Sequence, residues 1–267
     1  MRIGVLIALL VSAASANDDP AVILQRSIQA VKENSAKARN YAYRERRVVT
    51  DIDSKGKPGD QESETWDVIA LEGSTYRKLV ARDDRPLSAK EQKKEDERLR
   101  KETERRRKEN LEQRRRRLFS YEYHYQIPYS KLGDIYDLRM LPEEQAGGRR
   151  TWVLEGVPKL DFKPQTADEK EAVNFRLTLW LDQVEFLPVR IGLEVIGDHS
   201  RLSKGSTSQI DLAKINDDAW LVQRTSIRFA MRPFRVLTLR GEQVTTFSKF
   251  QKFQVDSKLV AGEGRQP

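Results

Sequence analysis

The sequence predicts an α+β fold: one antiparallel β-sheet, an N-terminal helix, and a long charged helix inserted between strands. Three observations predict it. The second half of the chain alternates apolar and polar residues in long runs, such as Phe175-Arg-Leu-Thr-Leu-Trp-Leu-Asp182, as an antiparallel sheet with one wetted face requires. Asp19-Pro20 opens a run with helical spacing. The 28 residues from Lys90 to Arg117 hold 14 Lys/Arg and 8 Asp/Glu, far too polar for a core helix.

The first element is a targeting segment. Met1-Arg2 supplies a positive start, Ile3 to Val11 is apolar, and Ala14-Ser15-Ala16 is a small-x-small cleavage site. Residues 1–16 therefore read as a signal peptide cut before Asn17. Nine apolar residues reach only about 14 Å as a helix, roughly half of a bilayer core. No cysteine follows for lipid attachment, so the expectation is a soluble, exported protein of the periplasm. Residues 17–255 read as a single domain and 256–267 as a disordered tail.

Asp19 caps and Pro20 begins a helix over 20–38, with Leu24, Ile28, Val31, Ser35 and Ala38 on one face and Val22 and Ile23 beside them. A meander follows: Tyr41–Ile52, a turn cluster at 54–60, Thr65–Leu71, a turn at Glu72-Gly73-Ser74, and Thr75–Ala81. Asp83-Asp-Arg-Pro86 ends it. Ser88 and Glu91 then form a capping box, and the charged run predicts one helix over about 88–118, some 45 Å long. Acidic residues crowd its start and Arg114–Arg117 its end, as the helix dipole favours. Asp96–Arg100, Glu97–Lys101, Glu102–Arg106 and Glu104–Lys108 are spaced for i,i+4 pairs.

Phe119, Tyr121, Tyr123, Tyr125 and Ile127 alternate as a strand does, the alternative being the fraying end of the charged helix; Pro128 stops either one. Residues 136–141 and 151–157 read as a hairpin around Gln145-Ala-Gly-Gly148, and 167–173 as a helical turn. Strands follow at 175–182, 189–195 and 225–231, with weaker ones at 208–215, 219–224, 234–240 and 243–255.

Composition narrows the chemistry. Six of the chain's eight net positive charges lie in 90–117, so the rest is nearly neutral. The absence of cysteine excludes disulfides, thiol catalysis and Cys-based metal sites. His124 and His199 are the two histidines, in no metal-ligand spacing. Asp198-His199-Ser200 holds triad residue types, but chain neighbours point apart, so it reads as a polar turn. No nucleophile elbow, Walker loop or dinucleotide fingerprint is present. The chain reads as a non-enzyme without cofactor or metal. The export segment, the interleaved acids and the lack of aromatics along 90–117 oppose a nucleic-acid partner. An anionic membrane surface or an acidic protein suits that segment better. Trp66, Trp152, Trp180 and Trp220 fit either core packing or a ligand cavity.

The order of elements resembles the LolA/LolB-like superfamily of envelope proteins, which includes lipoprotein carriers and RseB-type regulators of envelope stress. It is most similar to the group known as outer membrane lipoprotein-sorting proteins. Five stretches carry the resemblance: Tyr41-Ala-Tyr-Arg-Glu45, Asp83-Asp-Arg-Pro-Leu-Ser88 with its charged helix, Trp152-Val-Leu-Glu155 with Pro158, Leu179-Trp-Leu-Asp182, and Phe247-Ser-Lys-Phe-Gln-Lys-Phe253. The resemblance implies an incomplete antiparallel barrel lidded by helices, with an apolar cavity between them that receives an acyl chain or lipoprotein anchor. Tyr41, Tyr43, Trp66, Val68, Phe175, Leu177, Leu179, Ile191, Leu193, Ile227, Phe229 and Met231 are the candidate lining. Burial of an acyl chain is worth about 0.8 kcal/mol per methylene, so an apolar lining suffices without a reactive group. The charged helix departs from the apolar lids of a carrier, and a sensor or scaffold acting through that helix is the alternative.

Overall fold

In a computed structural model of the chain, residues 19–119, 128–197, 202–234 and 237–253 are described. The signal segment 1–16, His124 with the alternating run 120–127, Asp198-His199-Ser200 and the tail 256–267 lie outside them.

Helix α1 (Pro20–Ala38) starts where the sequence places it, with the Asp19 carboxylate accepting from the Ala21 N–H. Its buried side chains are Ile23, Leu24, Ser27, Val31 and Asn34, while Val22 stays exposed. The buried stripe is thus rotated from the purely apolar one, because two polar residues have partners beneath. Ser27 shares a hydrogen bond with the Tyr129 hydroxyl at 2.7 Å. The Asn34 amide donates to the Trp220 carbonyl and accepts from its N–H.

Strands β1 (Tyr41–Ile52), β2 (Pro58–Leu71), β3 (Ser74–Arg82) and the two-residue β4 (Arg85–Pro86) form the first meander. Helices α2 (Ala89–Arg107) and α3 (Leu111–Phe119) follow. A 3-10 turn at Tyr129–Lys131 leads into the short α4 (Leu132–Ile135). Strands β5 (Tyr136–Ala146) and β6 (Arg149–Pro158) make a hairpin, and α5 (Ala167–Ala172) precedes β7 (Phe175–Asp182), β8 (Pro188–Val195), β9 (Thr207–Ile215), β10 (Ala219–Phe234) and β11 (Leu237–Lys252).

All eleven strands join one antiparallel sheet in the order β4-β3-β2-β1-β11-β10-β9-β8-β7-β6-β5. Every neighbour follows in sequence except β1 and β11, so the first meander docks on the last strand. The sheet is open at both ends, with β4 and β5 at its edges. Two-residue turns at Glu72-Gly73, Asp83-Asp84, Gly147-Gly148 and Asn216-Asp217 all have positive φ at both positions, the hairpin geometry that matches strand twist. At Gly147 a Cβ would also sit 2.8 Å from Val189.

Two sequence expectations change. The weak segment 219–224 and the clear one at 225–231 are one 16-residue strand, and the two weak segments either side of Gly241 are another. The charged run is two helices rather than one. It breaks at Asn110, whose side chain accepts from the Gln113 N–H while the Gln113 side chain accepts from the Asn110 N–H. This second capping box starts α3 afresh.

The core lies on one face of β5–β10, under α1. Ile23, Leu24 and Val31 meet Leu154, Leu177, Leu179, Leu181, Ile191, Leu193, Ile210 and Leu212, all under a tenth exposed. No described helix is long and apolar enough to cross a membrane.

Candidate binding face

Residues directly opposite each other in an antiparallel ladder share a face. One such row crosses ten strands: Met140, Leu154, Leu179, Ile191, Ile210, Thr225, Thr245, Arg47, Glu64 and Arg82. Along this row the face is apolar from β5 to β9, hydroxylic at β10 and β11, and charged from β1 to β3. The next row is mixed: Leu177, Leu193, Ile227 and Val49 are apolar, while Ser208, Gln243 and Glu62 are polar or charged.

The candidate lining residues divide along this gradient. Phe175, Leu177, Leu179, Ile191 and Leu193 are together in the core beneath α1. Ile227, Phe229 and Met231 lie half-buried on β10, opposite Gln243, Gly241 and Leu239. The Phe229 ring crosses β11 at Gly241, where a Cβ would approach it to 2.7 Å. Tyr43 stands edge-on to Phe247 with ring centres 5.6 Å apart and is tilted against Phe250 at 6.0 Å. Val68 is buried opposite Tyr43. Tyr41 stands apart, packed with Ala219 and Leu221. Its hydroxyl donates to Asp218 at 2.9 Å, and burial together with that carboxylate pushes its pKa up.

Trp66 is buried with Leu79 and Leu87. The Arg77 and Arg47 guanidiniums lie 4.3 and 5.0 Å from the centre of its ring, within cation–π range. Arg77 makes a two-pronged pair with Glu45, and Arg47 and Arg82 share the Glu64 carboxylate at 2.5 and 2.9 Å. A cavity of about 270 Å³ opens here, bordered by Arg47, Val49, Glu62, Glu64 and Arg82. Sequence reasoning missed this charged half. Its signal is the run Arg44-Glu-Arg-Arg47 in β1: charge at four successive positions puts charge on both faces of a strand.

The charged helix lies along the edge of the sheet. Glu95 accepts from the Leu79 N–H, while Arg98 donates to the Arg77 carbonyl and Arg106 to the carbonyls of Thr75 and Leu71. Positions 75, 77 and 79 are alternate residues of β3, so α2 replaces a missing strand with side chains. Lys78–Asp96 and Arg107–Glu72 flank this contact. Of the expected i,i+4 pairs, Glu97–Lys101 and Glu102–Arg106 form. Asp96 turns instead to Lys78, and Arg100 pairs Glu104. Arg105, followed by Arg106, holds the Glu102 carboxyl down to about 2, despite partial burial. Among the described residues no group of three or more His, Asp or Glu is arranged to hold a metal ion.

No family model and no curated protein sequence matches the chain. Several solved structures are similar. An outer membrane lipoprotein-sorting protein domain from Vibrio parahaemolyticus is 9% identical, over 88% of this chain and 96% of that one, with a TM-score of 0.41. A LolA superfamily protein from Nitrosomonas europaea is 11% identical, over 86% and 96%, with a TM-score of 0.34. The MucA/MucB complex of Pseudomonas aeruginosa gives 11% identity, over 86% and 100%, and a TM-score of 0.22. These are likenesses of architecture at low sequence identity. What this chain binds does not follow from them.

Proposed function

We propose that this chain is an exported, non-catalytic binding protein of the bacterial cell envelope that holds an acyl chain or the lipidated anchor of a lipoprotein. The observation that carries the reading is the gradient along the row from Met140 to Arg82 on one face. An amphipathic ligand needs an apolar bed for its tail and polar partners for its head, in one continuous surface. The tail would lie over Ile227 and Phe229 and reach toward the seam between α1 and β7–β8, beside Leu177, Leu179, Ile191 and Leu193. The head would sit near Arg47 and Arg82, which have one Glu64 carboxylate between them. A 16-carbon tail offers on the order of 12 kcal/mol of gross burial, from which ordering and association costs are subtracted.

A fluorescent long-chain fatty acid tests this reading. The wild-type protein should bind it, and Ile227→Glu and Arg47→Glu should each weaken binding at least several-fold while leaving the circular dichroism spectrum unchanged. Equal binding by all three proteins would count against the face as the seat.

A sensor or scaffold is the second reading, and the charged helix favours it. Lys90, Lys93, Lys94 and Lys108 are exposed on α2 and its C-cap, outside the ion pairs that fasten the helix to β3. An acidic protein or an anionic membrane surface is the matching partner. Replacing these lysines with glutamine should abolish capture by anionic vesicles or by an acidic partner and leave acyl binding intact.

A further inference from the structure

The two edges of the sheet are treated differently. The β3 edge is covered by α2, whereas β5 ends the sheet with no described element beyond it. Its backbone can be oriented. The Lys159 N–H donates to the Ile135 carbonyl at 2.9 Å, so Ile135 and alternate residues after it face β6. Tyr136, Leu138 and Met140 consequently turn their N–H and C=O groups outward. The Tyr136 N–H is taken by the Leu132 carbonyl, and Pro142 has no N–H to give. An open ladder remains, centred on Leu138 and Met140. Such an edge is a template for another strand.

The side chains say which strand. If β5 pairs antiparallel with β5 of a second copy, the register must bring outward-turned residues together and avoid like charges. Centring on Asp137 sets it against its own copy, and centring on Arg139 does the same for the guanidiniums. Centring on Met140 places Asp137 against Glu143 and wastes Leu138 on Pro142. Centring on Leu138 sets Asp137 opposite Arg139 twice, with Leu138 facing Leu138 and Tyr136 facing Met140. The Met140 N–H then reaches the Tyr136 carbonyl of the other copy, and the two Leu138 residues exchange both their bonds. Arg139 already pairs with Glu155 at 2.7 Å and lies largely in solvent, so it can take a second carboxylate.

We infer that two copies of this chain associate edge to edge through β5, in the two-fold register centred on Leu138. The contact is short, so the dimer belongs in the weak, micromolar class. Two-fold symmetry makes it self-complementary.

Sedimentation velocity of the full chain, from micromolar to hundreds of micromolar, tests this. The wild type should move from one chain mass to two as concentration rises. Asp137→Arg and Arg139→Asp should each remain at one chain mass. The double exchange, Asp137→Arg with Arg139→Asp, should regain the dimer, which a merely damaged fold would not do; circular dichroism reports the fold of each variant. A wild type that stays at one chain mass throughout, single variants that dimerise like the wild type, or a well-folded double exchange that fails to dimerise would overturn the proposal.

Discussion

At the residue scale, two polar side chains carry more of this structure than their types suggest. Asn34 sits on the buried side of α1 and satisfies both backbone groups of Trp220 at 2.8 and 2.7 Å. It fixes the helix to the start of β10, and no aliphatic residue could do the same. Asn34→Ala should cost roughly 1–3 kcal/mol, because a buried N–H and C=O lose their partners; urea denaturation measures it. Glu102 is the second case. Its folded-state pKa, about 2, lies below the ordinary 4.5, so its contribution is complete above pH 4.5 and is lost as pH falls toward 2. The melting temperature should drop across that window, and Glu102→Gln should flatten this part of the profile. The sequence spacing marked Glu102–Arg106 as a pair. It could not show that Arg106 would be buried against β3, since long-range partners leave no local trace.

At the element scale, α2 is an edge cap. Its side chains reach alternate backbone groups of β3, which explains how a helix with Leu99 as its only leucine still packs on the body. Arg106 is its most buried anchor. Arg106→Ala should lower stability by roughly 2–3 kcal/mol, as expected for hydrogen bonds made by a charged group. Exposed pairs elsewhere on α2 should matter little. Salt shortens the Debye length to about 3 Å at 1 M. Raising it should therefore speed hydrogen exchange at the Leu79 amide, which Glu95 covers, and leave core amides such as that of Leu179 unchanged. Equal protection at both salt levels would contradict a cap held by charge. The element order was largely legible in the sequence. Period-two alternation located β7, β8 and β10, and Asp19-Pro20 located α1. The break at Asn110 was missed because a capping box inside a charged run looks like one more polar i,i+3 pair. The joining of the two segments either side of Gly241 was missed because Gly241 reads as a breaker, whereas here it admits the Phe229 ring.

At the scale of the whole molecule, the sheet is a single surface whose character changes strand by strand. Alternation along each strand tells which residues share a face. It does not tell the order of strands, so the row from Met140 to Arg82 was invisible until β1 was placed beside β11. That one long-range pairing joins the apolar end of the row to its charged end, and the proposed amphipathic bed rests on it. The most direct measurement is native mass spectrometry of the protein recovered from its host without detergent exchange. The account predicts a mass above that of the chain, matching one acyl-bearing ligand, and its loss in Ile227→Glu. Repeated recovery of bare wild-type protein under conditions that keep non-covalent lipid adducts intact would contradict it.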